Sequence, residues 1–267
     1  PASARWQVGG SVRDAVAHAE LVVLAVPLPA LAGVLDALAD LGYAGLVTDV
    51  TSVKEPVRVL VERHLYGADR TPGVGGRGLA GFVGGHPMAG RETSGFESAD
   101  PDLFTGCAWV LCLEPDDTSL ADWLTLAALV TELGARVVPA VAAEHDRAVA
   151  AVSHVPHLLA AALAAVAAGD PLAGTLAAGS FRDGTRVAAT RPELVAAMCG
   201  GNATAVGPAL DAVLDALGRA RTALDDTDPV GALRDWFAPG SAARRAWPPR
   251  PGEPVELPAR PGALLRL

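Results

Sequence analysis

The sequence predicts an α/β fold with a parallel sheet, followed by an all-α domain. Three observations carry this. Short unbroken apolar runs are each followed by helical periodicity; the composition turns Ala- and Leu-rich after residue 141; and 51% of the 267 residues are hydrophobic, enough to bury a core in two units. Aromatic residues make up only 4%, so Ala, Val and Leu must fill that core, which favours closely packed helices.

The run LVVLAVP (21–27) reads as a buried parallel strand, with a helical pattern over 30–41 after it. GLVTDV (45–50) repeats the arrangement, with a helix predicted over 55–64. Two strand and helix units in succession place a ligand crevice at the C-terminal ends of the strands. The Gly-rich stretch 67–81 reads as a loop into a short strand at 82–84. Further strands are predicted at 108–113 and 136–139, with a helix at 119–133 between them. Helical periodicity then runs over 142–237, broken near Gly169, Gly184 and Gly200. These patterns divide the chain into 1–141, 142–238 and a Pro- and Arg-rich segment at 239–267.

A formal net charge of −9 argues against a nucleic-acid partner, which would need clustered Lys and Arg. Cys107, Cys112 and Cys199 lack CxxC spacing, so neither a metal site nor a disulfide framework is expected, and a reducing cytoplasm fits. The apolar stretch 148–168 is interrupted by Ser153, His154, Pro156 and His157, groups costly to bury in lipid, so no membrane partner is expected. No signal-peptide pattern opens the sequence.

Four segments put polar groups where buried elements would otherwise be apolar. In DVTSVK (49–54), Thr51 and Ser52 follow a buried strand, placed to bond a nicotinamide amide or a substrate hydroxyl; alternatively Ser52 caps the next helix. In GGHPMAG (84–90), His86 sits in a turn at the crevice, with glycines that permit close backbone approach to a ligand and Pro87 to stiffen it. Its imidazole is suited to taking a proton near neutral pH, although a lone His is often structural.

In HDRAVAAVSHVPHLLAAAL (145–163), Ser153 and His157 share a helical face, Pro156 kinks the helix, and His154 points elsewhere. His145 and Asp146 read at least as readily as capping or bracing of the helix start as they do as direct chemistry, and His157 equally as a hydrogen-bonded core residue. In SFRDGTRVAAT (180–190), Arg182 and Arg186 are four apart and either grip a carboxylate or lie solvated on the surface.

Together, DVTSVK, FVGGHPMAGRETSGFESADPDLFTG, the 145–163 segment and FRDGTRVA, in this order, resemble the prephenate/arogenate dehydrogenase family over residues 21–237. The resemblance implies a partial Rossmann-like domain binding NAD or NADP, a helical dimerisation domain, and an active site in the cleft between them. It implies His86 as the base taking the proton of the ring C4 hydroxyl while hydride leaves C4, after which loss of the ring carboxylate aromatises the ring. Ser52 is implied beside it as the other catalytic group. Ser153, His157 and Arg186 are implied to bind prephenate or arogenate; Val26, Pro27, Thr51 and Ser52 to face the cofactor; and the chain to form a homodimer.

The family's first strand and GxGxxG turn are expected before Leu21, yet the preceding residues contain no such motif. Gly9 and Gly10 are rejected as a phosphate turn because no buried strand runs into them. Cofactor affinity is therefore expected to be reduced unless the sequence is a fragment, which the ACT-like opening VELPARPGALLRL (255–267) favours. Two competing readings stand beside the enzyme: a non-catalytic dimerising or ligand-binding module, and another hydroxyacid dehydrogenase with Lys54 as its catalytic group.

Overall fold

The computed structural model describes residues 9–67, 80–90, 99–115 and 117–247. Most of the Gly-rich loop expected at 67–81, the RETSGFES portion of the family segment, and the ACT-like opening lie outside the described residues. Gly9 and Gly10 lead into the short helix α1 (Val12–Val16), whose cap is Ser11, accepting from the Asp14 N–H at 3.2 Å.

The first sheet is parallel, in the order β1 (Leu21–Leu24), β2 (Leu46–Asp49), β3 (Gly81–Val83). Helix α2 (Leu28–Asp40) connects β1 to β2 and carries proline in its first turn, where the missing N–H costs nothing. Leu31, Leu35 and Leu38, spaced along one face, are completely buried against Leu24, Val47 and Val57. Each contributes roughly 2 kcal/mol of burial. Helix α3 (Glu55–Leu60) follows β2 and widens into a π-helical turn over Val61–Tyr66.

The strand set departs from the expected sheet. A second three-stranded sheet holds β4 (Gly85–Pro87), β5 (Ala108–Cys112) and β6 (Arg136–Ala140), with β4 antiparallel to β5 and β5 parallel to β6. GGHPMAG is thus not only a turn: His86 is the central residue of β4, paired with Val110. Helix α4 (Leu120–Glu132), capped by Ser119, crosses from β5 to β6 and buries Leu126 and Val130 against Val83, Trp109 and Leu111.

Helix α5 (Ala142–Val149) leads through a π-helical turn at Ala150–His154 into α6 (Val155–Ala167). Pro156, in the first turn of α6, has no N–H and crowds the carbonyl four residues back; widening the preceding turn relieves this. The kink expected at Pro156 takes this form. Residues 142–167 are long and apolar enough to cross a membrane by length and composition, but their buried His145, Asp146 and His154 are engaged within the fold.

Then come α7 (Pro171–Leu176), α8 (Gly179–Thr185), a 3-10 turn (Arg186–Ala189), α9 (Pro192–Gly201), α10 (Ala203–Ala223) and α11 (Pro229–Ala246). Besides the breaks near Gly169, Gly184 and Gly200, the chain turns extended at Arg191 because a residue before proline is pushed out of the helical region. Residues up to Asp211 form one compact unit and those from Ala212 another. In the latter, the Trp236 indole N–H donates to the Ala216 carbonyl at 3.0 Å and its ring meets Phe237 edge-on.

Candidate active site

The C-terminal ends of β1 and β2, strand β4, and helices α6 and α9 surround a cavity of about 490 Å³, within the usual range for small-molecule sites. Val26, Pro27, Thr51, Ser52, His86, Ser153, His157 and Arg186 all line it, so every expected site residue converges there. The wall that the sequence did not suggest is apolar: Leu194, Val195, Ala197 and Met198 of α9, with Val187.

His86 does not act alone. Its Nδ1 lies 2.8 Å from Nε2 of His145, whose Nδ1 lies 2.7 Å from Oδ1 of Asp146. The second carboxylate oxygen of Asp146 accepts the Glu55 N–H at 2.9 Å, and Oδ1 also accepts the Lys54 N–H at 2.8 Å. Burial works to raise the Asp146 pKa, but the hydrogen bonds from His145, Glu55 and Lys54 hold it below the usual carboxylate range. An ionised Asp146 holds a hydrogen on Nδ1 of His145, and the tautomer carrying only this hydrogen has Nε2 free to accept. Nε2 of His145 then accepts from Nδ1–H of His86, leaving Nε2 of His86 as the basic nitrogen.

Burial lowers the His86 pKa to about 3, helped by His145, Lys54 and His154 and opposed by Asp146. The imidazole is therefore neutral, the state a proton acceptor requires.

The alternative role of Ser52 as a helix cap is overturned: no side chain of the 49–54 segment caps α3. Its first N–H groups are capped by Asp146, from the other end of the chain. The Ser52 hydroxyl has no hydrogen-bond partner among the described residues and lines the cavity. Thr51 also lines it, but its hydroxyl is within reach of Asp49 and of the Val53 carbonyl at 3.1 Å, so its hydrogen is already committed.

His145 and Asp146 do not cap the start of their own helix, which has no side-chain cap; Asp146 caps α3 instead, and the pair forms the relay to His86. His157 donates Nδ1–H to the Ser153 carbonyl at 2.9 Å, leaving Nε2 for a ligand. His154 points away from the cavity: it is fully buried, with Nδ1 accepting from Asn202 at 3.1 Å, and burial lowers its pKa to about 4. Arg182 is 80% exposed and pairs only loosely with Asp183, so of the two arginines it is Arg186 that faces the cavity.

Lys54 does not line the cavity and is 1% exposed, with its ammonium held by Asp49 and the Gly85 carbonyl. This removes it as a catalytic group. Gly85 serves a different purpose from the one expected of the GGHPMAG glycines, whereas Gly90 lines the cavity. A Cβ on Gly85 would lie 2.6 Å from the Asp49 carbonyl oxygen and 3.1 Å from the Thr48 hydroxyl, so the close approach is to β2. Among the described residues no group of three or more His, Cys, Asp or Glu is arranged to hold a metal.

A parallel βαβ sheet with a histidine-based cavity closed by a following run of helices defines a nucleotide-binding α/β protein with a helical second part. Comparison with known proteins places it further. The family description "Prephenate dehydrogenase, nucleotide-binding domain" matches residues 3–139, and "Prephenate dehydrogenase, dimerization domain" matches residues 141–238. The chain belongs to the prephenate dehydrogenase family.

A prephenate dehydrogenase of Lactococcus lactis is 35% identical over 177 residues, which are 64% of this chain and 45% of that protein. A cyclohexadienyl dehydrogenase of Zymomonas mobilis is 32% identical over 229 residues, 83% of this chain and 73% of that protein. The crystal structure of a Corynebacterium glutamicum protein proposed to be a prephenate dehydrogenase superposes with a TM-score of 0.75 at 35% identity, covering 88% of this chain and 73% of that one. The match therefore spans less than half the length of the Lactococcus relative.

Proposed function

We propose that this protein catalyses the oxidative decarboxylation of prephenate to 4-hydroxyphenylpyruvate with NAD or NADP, in tyrosine biosynthesis. The observation that carries this is the His86–His145–Asp146 relay opening onto a cavity that also presents Ser52, Ser153, His157 and Arg186. The residues fit a nicotinamide: Val26, Pro27 and Leu28 offer an apolar surface beside the Ser52 hydroxyl, at the strand ends where such ligands bind.

When bound, the dinucleotide supplies the hydride acceptor. Nε2 of His86 takes the proton of the ring C4 hydroxyl as that carbon is oxidised. The ring carboxylate then leaves as carbon dioxide, its bonding electrons aromatise the ring, and His86 returns its proton to the C4 oxygen. The relay spreads the positive charge formed on His86 toward Asp146. Arg186 grips a substrate carboxylate, and Nε2 of His157 with the Ser153 hydroxyl fixes the substrate's orientation. Ser52 orients the nicotinamide and the ring hydroxyl. Similarity to the Synechocystis arogenate dehydrogenase, at 27% identity and a TM-score of 0.69, supports arogenate as a second substrate.

We set the boundary between the α/β and helical domains at residue 141, and the family matches over 3–139 and 141–238 support it. The helical domain pairs as a homodimer, which accounts for exposed Leu214, Leu217, Val230 and Phe237 on α10 and α11. The enzyme works in the cytoplasm. Adding prephenate or arogenate with NAD or NADP, and following reduced-nicotinamide absorbance together with carbon dioxide release, tests the assignment. Signal with prephenate supports it; folded protein that gives neither signal with any combination refutes it.

A further inference from the structure

We propose that Lys54 is a positioning residue for His86, tethering both the strand that carries this imidazole and the carboxylate that ends its relay. The inference rests on the reading of His86 as the base. Lys54 is the only lysine among the 21 Lys and Arg residues of the chain, and it is buried completely. An ammonium presents three tetrahedrally arranged donors, whereas the planar fork of Arg cannot address three acceptors around a point.

Those acceptors are Oδ2 of Asp49, the Gly85 carbonyl at 2.6 Å and the Thr51 hydroxyl at 3.3 Å. The other oxygen of Asp49 accepts the Gly85 N–H at 3.1 Å. Both main-chain groups of Gly85 are therefore gripped by one ion pair, immediately before His86. Meanwhile the main-chain N–H of Lys54 donates to Asp146 Oδ1, the atom that also binds His145. One residue thus holds the two ends of the relay at a fixed separation.

An apolar pair of the same shape would pack as well and avoid the cost of burying charge, but it could not hold an N–H and a C=O together. The charged and titratable groups that bear on His86 are His145, Lys54, His154 and Asp146; of these, Lys54 is the only permanent cation, and its field favours the neutral imidazole.

The test uses Lys54→Met with Asp49→Asn, which removes both charges together, and Lys54→Arg, which keeps the ion pair. Three quantities are read on the intact chain: turnover, 4-hydroxyphenylpyruvate affinity, and the tautomer and titration of His86 by NMR of ring-labelled histidine, assigned by comparison with His86→Asn. Because Lys54 does not touch the cavity, affinity is expected to stay within threefold. The kcat should fall at least tenfold in the charge-free variant, and less in Lys54→Arg. The His86 signal should show mixed tautomers in both and, in the charge-free variant, titrate at higher pH.

Folded variants with unchanged kcat and an unchanged His86 signal overturn the inference. If neither variant folds, the ammonium signal of the single lysine in ¹⁵N-labelled wild-type protein decides: slow hydrogen exchange supports the tether, and exchange as fast as in free lysine overturns it. Should the wild type turn over neither substrate, the proposed function fails, while the His86 and lysine signals still decide the role of Lys54.

Discussion

Replacing Asp146 by Asn tests whether the relay sets the state of His86. The carboxylate accepts hydrogen bonds from the N–H groups of Lys54 and Glu55 and from Nδ1 of His145, at 2.8, 2.9 and 2.7 Å. An amide offers one acceptor oxygen and an NH2 group that only donates, so it cannot serve both oxygen positions. With its oxygen toward His145 the tautomer survives, but the anion is gone and the Glu55 N–H loses its partner. A charge-assisted hydrogen bond exceeds a neutral one by about 1–2 kcal/mol, or roughly tenfold in the rate of forming an imidazolium.

With its NH2 toward His145 the tautomers reverse and the hydrogen sits on Nε2 of His86, where the base must be free; the equivalent substitution in a serine-protease triad costs about 10⁴ in turnover. Loss of the Asp146 charge also lowers the His86 pKa further, since that charge raises it. Both orientations weaken the base, so kcat is expected to fall between about tenfold and 10⁴-fold, with KM little changed because Asp146 does not line the cavity. The lost cap should cost about 1–2 kcal/mol of stability, so turnover is measured well below the melting temperature and alongside circular dichroism. A folded Asp146→Asn protein with kcat within twofold of wild type would refute the relay.

Several other outcomes follow from the same geometry. His86→Asn should reduce turnover by about 10²–10⁴ while leaving 4-hydroxyphenylpyruvate binding in place; unchanged turnover removes His86 as the base. Arg186→Gln should raise KM for prephenate about tenfold or more, and steady-state kinetics showing no change would take Arg186 out of the substrate site. Gly85→Ala would force a Cβ to within 2.6 Å of the Asp49 carbonyl, with an expected loss of about 1–3 kcal/mol read by chemical denaturation; an unaltered midpoint would contradict the close approach of β4 to β2. His86 and His154 have folded pKa values of about 3 and 4, below the ordinary 6.5. The unfolded chain therefore binds more protons, and their stabilising contribution is complete above pH 6.5 and lost as pH falls toward 4 and then 3. For His154 the loss is on the order of 3 kcal/mol, and a stability constant between pH 7 and pH 4 would be inconsistent with it.

The parallel strands β1 and β2 were legible because each is a short apolar run closed by a turn, and α2 because Leu31, Leu35 and Leu38 fall on one face. Strand β4 was not legible. Glycine and proline dominate GGHPMAG, and what makes it a strand is distant: the β5 ladder on one side and the Asp49–Lys54 pair on the other. The same non-locality hid the cap of α3. Ser52 stands where a local cap would be read, whereas the acceptor comes from Asp146, 92 residues beyond Lys54. The cavity-lining residues were identified through family resemblance, since spacing alone left Arg186 and His157 open to bland readings. The α9 wall of Leu194 and Met198 carried no signal, because apolar residues at helical spacing look alike whether they face a core or a ligand.

The placement of Asp146 has a consequence for how the site is assembled. The strand end bearing Ser52 and the strand bearing His86 belong to the α/β part, but the carboxylate that caps α3 and orients His86 comes from α5, and Asn202 after α9 holds the Asp146 carbonyl at 2.8 Å. An α/β part folded alone would leave the first N–H groups of α3 unsatisfied and His86 free to adopt either tautomer. Docking of α5 supplies the cap and the relay in one event, with His157 and Ser153 carried in on the helix that follows. The tautomer of His86 is therefore set only when the helix bearing Ser153 and His157 is in place, because one side chain performs both tasks.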